Sequence, residues 1–198
     1  MSHPSERAST KTTFKQPGNP WIEGVKTIAL SIVFALGTRA YIAEARLIYP
    51  TGSMEPTLEI NDRVIIEKVS YRFDQPKRGD IVVFAPPQVL EEQNFRGDLI
   101  KRVIGLPGDF VEVKDGKVFV NGKVLSENYT KEAANYELNL VKVPQDRYLV
   151  LGDNRNNSSD SHVWGFVPRE KIIGRAVVRY WPPNRAGRIE PLPSYRQK

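Results

Sequence analysis

The run Pro50-Thr51-Gly52-Ser53-Met54-Glu55-Pro56-Thr57-Leu58 sets two hydroxyls on either side of a glycine, between two prolines. Each proline fixes its own φ and restricts the residue before it. Gly52 admits backbone conformations that a side chain forbids. A serine on such a bend can aim its hydroxyl and its backbone N–H at one point. Acyl transfer asks for that pairing of nucleophile and oxyanion donor. An ordinary Pro/Gly turn has the same composition, so the choice depends on finding a base elsewhere.

A Ser-His-Asp triad needs a histidine, and the chain offers only His3 and His162. His3 lies in a polar tail. His162 sits in a polar loop, where it could act as base but where a histidine is ordinarily just solvated. Lysine is the other route. In Leu99-Ile100-Lys101-Arg102-Val103-Ile104, strand alternation puts Leu99, Lys101 and Val103 on one face, so the ammonium emerges among apolar groups. Desolvation lowers a lysine pKa. A fall from ~10.4 to ~8 costs the charged form about 3 kcal/mol and leaves a base competent near neutrality. A strand lysine facing solvent beside Arg102 is the competing reading. Cysteine is absent, which removes disulfides, thiol catalysis and thiolate metal sites. Two histidines without cysteine give little basis for catalytic zinc, and no phosphate-cradling glycine motif occurs.

A third cluster, Gly152-Asp153-Asn154-Arg155-Asn156-Asn157-Ser158-Ser159-Asp160-Ser161-His162-Val163-Trp164-Gly165, follows a strand. It is dense in side chains that bond backbone groups, as functional loops and Asn-rich turns both are.

The elements that would carry these clusters fall into three expected segments: a flexible tail (1–20), an apolar anchor (21–45) and a β-rich domain (46–198). A helix over 25–43 would be roughly 28 Å long, close to the ~30 Å hydrocarbon core. Lys26 and Arg39 can snorkel at its ends, and Trp21 and Tyr41 suit the two interfaces. A cleaved signal peptide, with Ala43-Glu44-Ala45 as its A-x-A-like site, and a buried core helix are the alternatives. Basic residues before the span give a mild bias to an inside N-terminus. From 58 onward β-branched runs predict strands at 63–69, 80–84, 99–104, 110–114, 117–120, 147–151 and 172–180. Asp115-Gly116 and Asn121-Gly122 predict tight hairpins. Residues 125–139 read as an irregular excursion and the Pro-rich tail after Trp181 as extended. The expected fold is mostly β, an antiparallel sheet or partly closed barrel behind one N-terminal transmembrane helix. The net charge of +6 comes without a Lys/Arg block, which fits a lipid surface and not nucleic acid.

Four segments, in this order after an apolar anchor, resemble the type I signal peptidase family. They are Thr51 to Leu58, Arg78 to Phe84, Ile100 to Asp109, and Gly152 to Arg155 with Ser158 to Ser161. The resemblance covers about residues 25–181 and is closest to the compact single-anchor form, including cyanobacterial and thylakoid relatives. It implies a serine endopeptidase that removes signal peptides after an Ala-X-Ala site, with Ser53 as nucleophile and Lys101 as general base. Ser53 N–H and the Thr51 hydroxyl would form the oxyanion hole. Ser158 would orient the lysine, Asp153 would pair with Arg102, and Asp160 would brace the loop. Leu47, Tyr49, Met54, Leu58, Val83, Leu99 and Ile100 would wall shallow pockets for small side chains. Asn156 stands where many relatives carry an acid, and His162 where many carry arginine. No metal or organic cofactor is implied. The implied partners are preproteins, the bilayer and the secretion translocon, with the domain on the exported face of a plasma or thylakoid membrane. Met54, Phe84 and the tryptophans are candidates for a lipid-touching rim, and Ala43-Glu44-Ala45 for self-cleavage. A self-cleaving Ser/Lys domain of the SOS repressor type and a non-catalytic membrane-anchored β-barrel module are the rival readings.

Overall fold

The computed structural model describes residues 19–41, 43–47, 51–189 and 194–195, with no side-chain description for 38–41, 43, 46–47 and 194–195. Two units divide the chain, one up to Thr38 and one from Arg39 onward. In the first, helix α1 (Pro20–Tyr41) carries an uncharged stretch from Thr27 whose side chains are exposed, Leu30 and Phe34 among them, and Trp21 near its start is exposed too. Its 22 residues span roughly 33 Å, and Pro20–Gly37 is apolar enough to cross a membrane, at a mean hydropathy of 1.3. Thr27 and Ser31 donate their hydroxyls to carbonyls one turn back, at 2.9 and 2.8 Å. That satisfies them without water. Tyr41 ends the helix, and Ala43 begins a strand instead of continuing the anchor to 45.

The second unit is antiparallel β throughout. β1 (Ala43–Leu47), β2 (Arg63–Glu67), β3 (Ile81–Phe84), β4 (Leu99–Gly105), β9 (Arg147–Leu151), β10 (Val167–Pro168), β11 (Ile172–Trp181) and β12 (Gly187–Arg188) form one sheet. Its order is β1-β2-β11-β3-β4-β9-β10, with β12 on β11. A second sheet orders β13 (Ser194–Tyr195), β7 (Lys123–Ser126), β6 (Lys117–Val120), β5 (Phe110–Lys114) and β8 (Leu138–Lys142). The hairpins fall where expected. Asp115 and Gly116 take φ of 50° and 71°, and Asn121 and Gly122 take 53° and 74°, as type I′ turns require.

β3 reads Ile-Val-Val-Phe because both its faces are covered. Val82 and Phe84 enter a core with Val103, Tyr148, Val150 and Trp164, while Ile81 and Val83 join Met54, Leu58, Val64 and Ile66. A third core gathers Ile104, Val111, Val113, Val118 and Leu149 between β4, β9 and the second sheet. β1 and β8 are too polar to stand out by periodicity, and β10, β12 and β13 are two-residue pairings too short to show any. The chain after Trp181 is not simply extended, since it turns at Pro183–Arg185 and pairs as β12. Met54, Phe84 and Trp164 are buried and provide no rim; Trp181 is exposed.

Candidate active site

The segment Thr51–Leu58 is a compact turn. Gly52 takes φ of 59°, in the left-handed region, and Glu55 N–H and Leu58 N–H donate to Gly52 O and Met54 O at 3.2 and 2.9 Å. Buried Met54 and Leu58 pin it to the core, each side chain contributing about 2–3 kcal/mol of burial. Both residues, expected among the pocket walls, are buried and are not among the residues that line the cleft beside Ser53. The loop after β9 clamps the turn from the other side. Asn154 N–H donates to Ser53 O and its side-chain amide to Gly52 O, both at 3.0 Å.

Gly152 sits at the tightest point. A Cβ there would lie 2.2 Å from Ser158 Oγ and 2.5 Å from Ser53 O, which no other residue can meet without displacing the 51–58 turn.

β4 delivers Lys101 to this turn. Its Nζ is 2.7 Å from Ser53 Oγ and donates to Ile100 O at 3.0 Å. Lys101 and Ser53 keep only 3% and 4% of their surface exposed. Burial pushes the lysine pKa down to about 8, against the opposing pull of the Asp160 and Asp153 carboxylates. Thr51 Oγ1 donates to Ser53 Oγ at 3.2 Å.

Arg102, one residue on, is also buried and does not share a solvent face with Lys101. Its Nε and a terminal nitrogen hold both oxygens of Asp153 at 2.8 and 2.6 Å, the forked geometry that satisfies a buried carboxylate. Gly79 O accepts from it at 3.0 Å, Thr57 Oγ1 donates to Asp153 at 2.5 Å, and the Tyr129 ring lies 4.0 Å from the guanidinium. Asp160 accepts from Gly152 N–H at 2.9 Å, and its other oxygen lies 2.7 Å from His162 Nδ1. The His162 ring stacks on Tyr136 at 3.9 Å and is engaged by Asp160, so it does not serve Ser53. Asn156 bonds the backbone of Ala133 and Asn135, a neutral brace in place of an ionic one.

Ser158 lines the same cleft as Lys101, yet its buried Oγ has no hydrogen-bond partner, so the bond to lysine expected for it is not formed here. The cleft encloses about 730 Å³ and includes Val83, Leu99 and Ile100 among its walls. Of Leu47 only the backbone is described, in β1, and Tyr49 and His3 lie outside the described residues. Ala43-Glu44-Ala45 is paired along β2, a conformation in which its peptide bonds are held in the sheet.

Sequence reasoning missed Asn154, Thr57, Tyr129 and the Arg155–Glu127 fork at 2.8 and 2.6 Å. Their chemistry is to hold backbone and charge in place, and only long-range contact reveals it. Glu127 and Tyr129 belong to the polar excursion that carried no motif.

The chain matches the family described as "Signal peptidase, peptidase S26" over residues 21–181. It is 54% identical to a signal peptidase I of Leptolyngbya laminosa, over 98% of this chain and 100% of that one. It is 58% identical to a probable signal peptidase I-2 of Synechocystis, over 91% and 83%. Thylakoidal processing peptidase 1 of Arabidopsis thaliana is 46% identical, over 82% of this chain and 49% of its own length. A crystal structure of a signal peptidase I from Enterococcus faecalis aligns at a TM-score of 0.44 and 33% identity, over 52% and 97%.

Proposed function

Because the chain belongs to the signal peptidase family, peptidase S26, we propose that Ser53 and Lys101 are the pair with which it cuts preproteins. It is a serine endopeptidase, and its substrates are preproteins bearing signal peptides. The observation that carries the dyad is the 2.7 Å contact of a buried lysine with the serine hydroxyl of a rigid turn.

Neutral Lys101 takes the Ser53 proton as Oγ bonds the scissile carbonyl carbon. Ser53 N–H and the Thr51 hydroxyl, released from its contact with Ser53 Oγ, stabilise the oxyanion. As the C–N bond breaks, the Lys101 ammonium returns its proton to the leaving amine. Water then attacks the acyl ester, Lys101 takes that proton, and Ser53 is freed. Ser158 Oγ, unpartnered in the same wall, is the acceptor to which a Lys101 N–H would turn during the reaction, aiming the lone pair at Ser53. Asp153 with Arg102, and Asp160, hold the loop that shapes the turn.

Val83, Leu99 and Ile100 form shallow apolar walls that admit small side chains, giving an Ala-X-Ala preference. α1 anchors the enzyme across a plasma or thylakoid membrane with the N-terminus cytoplasmic, which suits its length, exposed apolar surface and satisfied hydroxyls. The exported face would then meet the translocon's emerging substrates.

Detergent-solubilised full chain should cleave an Ala-X-Ala preprotein at the alanine boundary, whereas Ser53→Ala and Lys101→Met should not. Cleavage by either variant would refute the dyad.

A further inference from the structure

The cleft extends past Lys101 and Leu99 to Leu90 in helix α3 (Gln88–Glu92; α2 is Ser70–Phe73) and to Phe95 and Arg96 in the loop that follows. Nothing in the expected pockets uses this outer stretch. Its shape is built, not accidental. Asn94 and Gly97 take φ of 59° and 109°, left-handed positions that asparagine and glycine tolerate, and Phe95 N–H donates to Leu90 O at 2.9 Å. Leu90 is buried at 8% exposure, whereas Phe95 leaves 40% of its surface open. Arg96 is exposed and makes no ion pair with a described residue.

Position along the cleft fixes what reaches this wall. With the small-residue pockets at Val83, Leu99 and Ile100, the substrate upstream of the cut runs from Ser53 past the start of β4. Phe95 and Arg96 line the same cleft as Ser53 and these walls, so we take an extended chain to meet them about four to six residues (~3.3 Å each) before the scissile bond. We propose that Phe95 and Arg96 form an outer subsite for those residues, taking an apolar or acidic side chain and rejecting a basic one. This subsite rests on the proposed dyad and on the direction of the bound chain. Phe95 supplies open aromatic surface to the cleft wall, and the neighbouring Arg96 supplies a guanidinium without an ion pair to a described residue.

The test uses detergent-solubilised full chain and three preprotein-derived peptides with the same Ala-X-Ala site. They carry Leu, Glu or Lys at the fifth position upstream of the cut. For wild type, kcat/KM for Glu should exceed that for Lys by roughly three- to fivefold, the size of one exposed charge contact. Arg96→Glu should invert that ratio, and Arg96→Lys should keep it. Phe95→Ala should lower the Leu peptide more than the other two. A purely structural role for the loop would move all three peptides together. Cleavage with ratios unchanged by Arg96→Glu and Phe95→Ala overturns the subsite alone. Failure of wild type to cut any of the three overturns the proposed function and the subsite with it.

Discussion

Replacing Lys101 by methionine should make the folded domain more stable at neutral pH, by an amount that shrinks as the pH rises. Folded Lys101 has a pKa of about 8 against 10.5 for the free side chain. The unfolded chain therefore binds this proton more tightly, and burying the ammonium costs wild type about 3 kcal/mol at pH 7. Between pH 8 and 10.5 the unfolded state holds a proton that the folded state has shed, so wild-type stability climbs with pH. By pH 10 roughly 1 kcal/mol of the cost remains. Methionine has no such titration. It also loses the hydrogen bonds to Ser53 and Ile100, a loss present at both pH values. The quantity to measure is thus the variant's advantage over wild type, which should fall by about 2 kcal/mol from pH 7 to pH 10. Guanidinium unfolding in detergent, followed by fluorescence of buried Trp164 against Phe84, reads it directly. An advantage that stays flat across this range, or grows, would refute the claim that Lys101 is desolvated enough to be a base.

The same pKa predicts that kcat/KM rises about tenfold between pH 7 and 9, as the neutral fraction goes from about 9% to about 91%, and levels off beyond; a rise continuing past pH 10 would contradict it. Arg102→Met should cost about 3–5 kcal/mol because Asp153 is left buried and unpaired. Lys77→Met, at the exposed contact with Asp74, should cost less than about 1 kcal/mol in the same denaturation assay. Gly152→Ala should lower kcat about a hundredfold by shifting the nucleophile turn, a misplacement of the size that costs that much. Equal activity in Gly152→Ala would show that the loop can yield.

Local chemistry was legible where it is written locally. The β-branched runs gave β2, β3, β5, β6 and β11, and two Asp/Asn-Gly pairs gave their hairpins. The antiparallel β class and the apolar helix followed from the same patterns. Polar strands such as β8 escaped, because they owe their conformation to pairing and not to their own side chains. Burial was the hardest quantity to foresee. Strand alternation placed Arg102 on the face opposite Lys101, yet both are buried because the loop after β9 and the 51–58 turn close over them. The resemblance implies Met54 and Leu58 as pocket walls, and only the folded chain shows that both side chains also belong to the core around Val64 and Ile66. The outer wall at Phe95 and Arg96 had no signature at all, since an aromatic and a basic residue in a polar loop are unremarkable until the chain folds them onto a cleft.

The sequence distances within the site have a consequence for when the enzyme becomes dangerous. Ser53 meets Lys101 across 48 residues, and the amide that steadies Gly52 comes from Asn154, 102 residues away. Neither contact exists until Lys101 and Asn154 have both been made and have docked on the 51–58 turn. On the proposed dyad, a half-folded copy would hold a serine without its base and a lysine without the burial that lowers its pKa. Completion of the fold is the arming step, and any event that peels β9 and its loop away disarms it again.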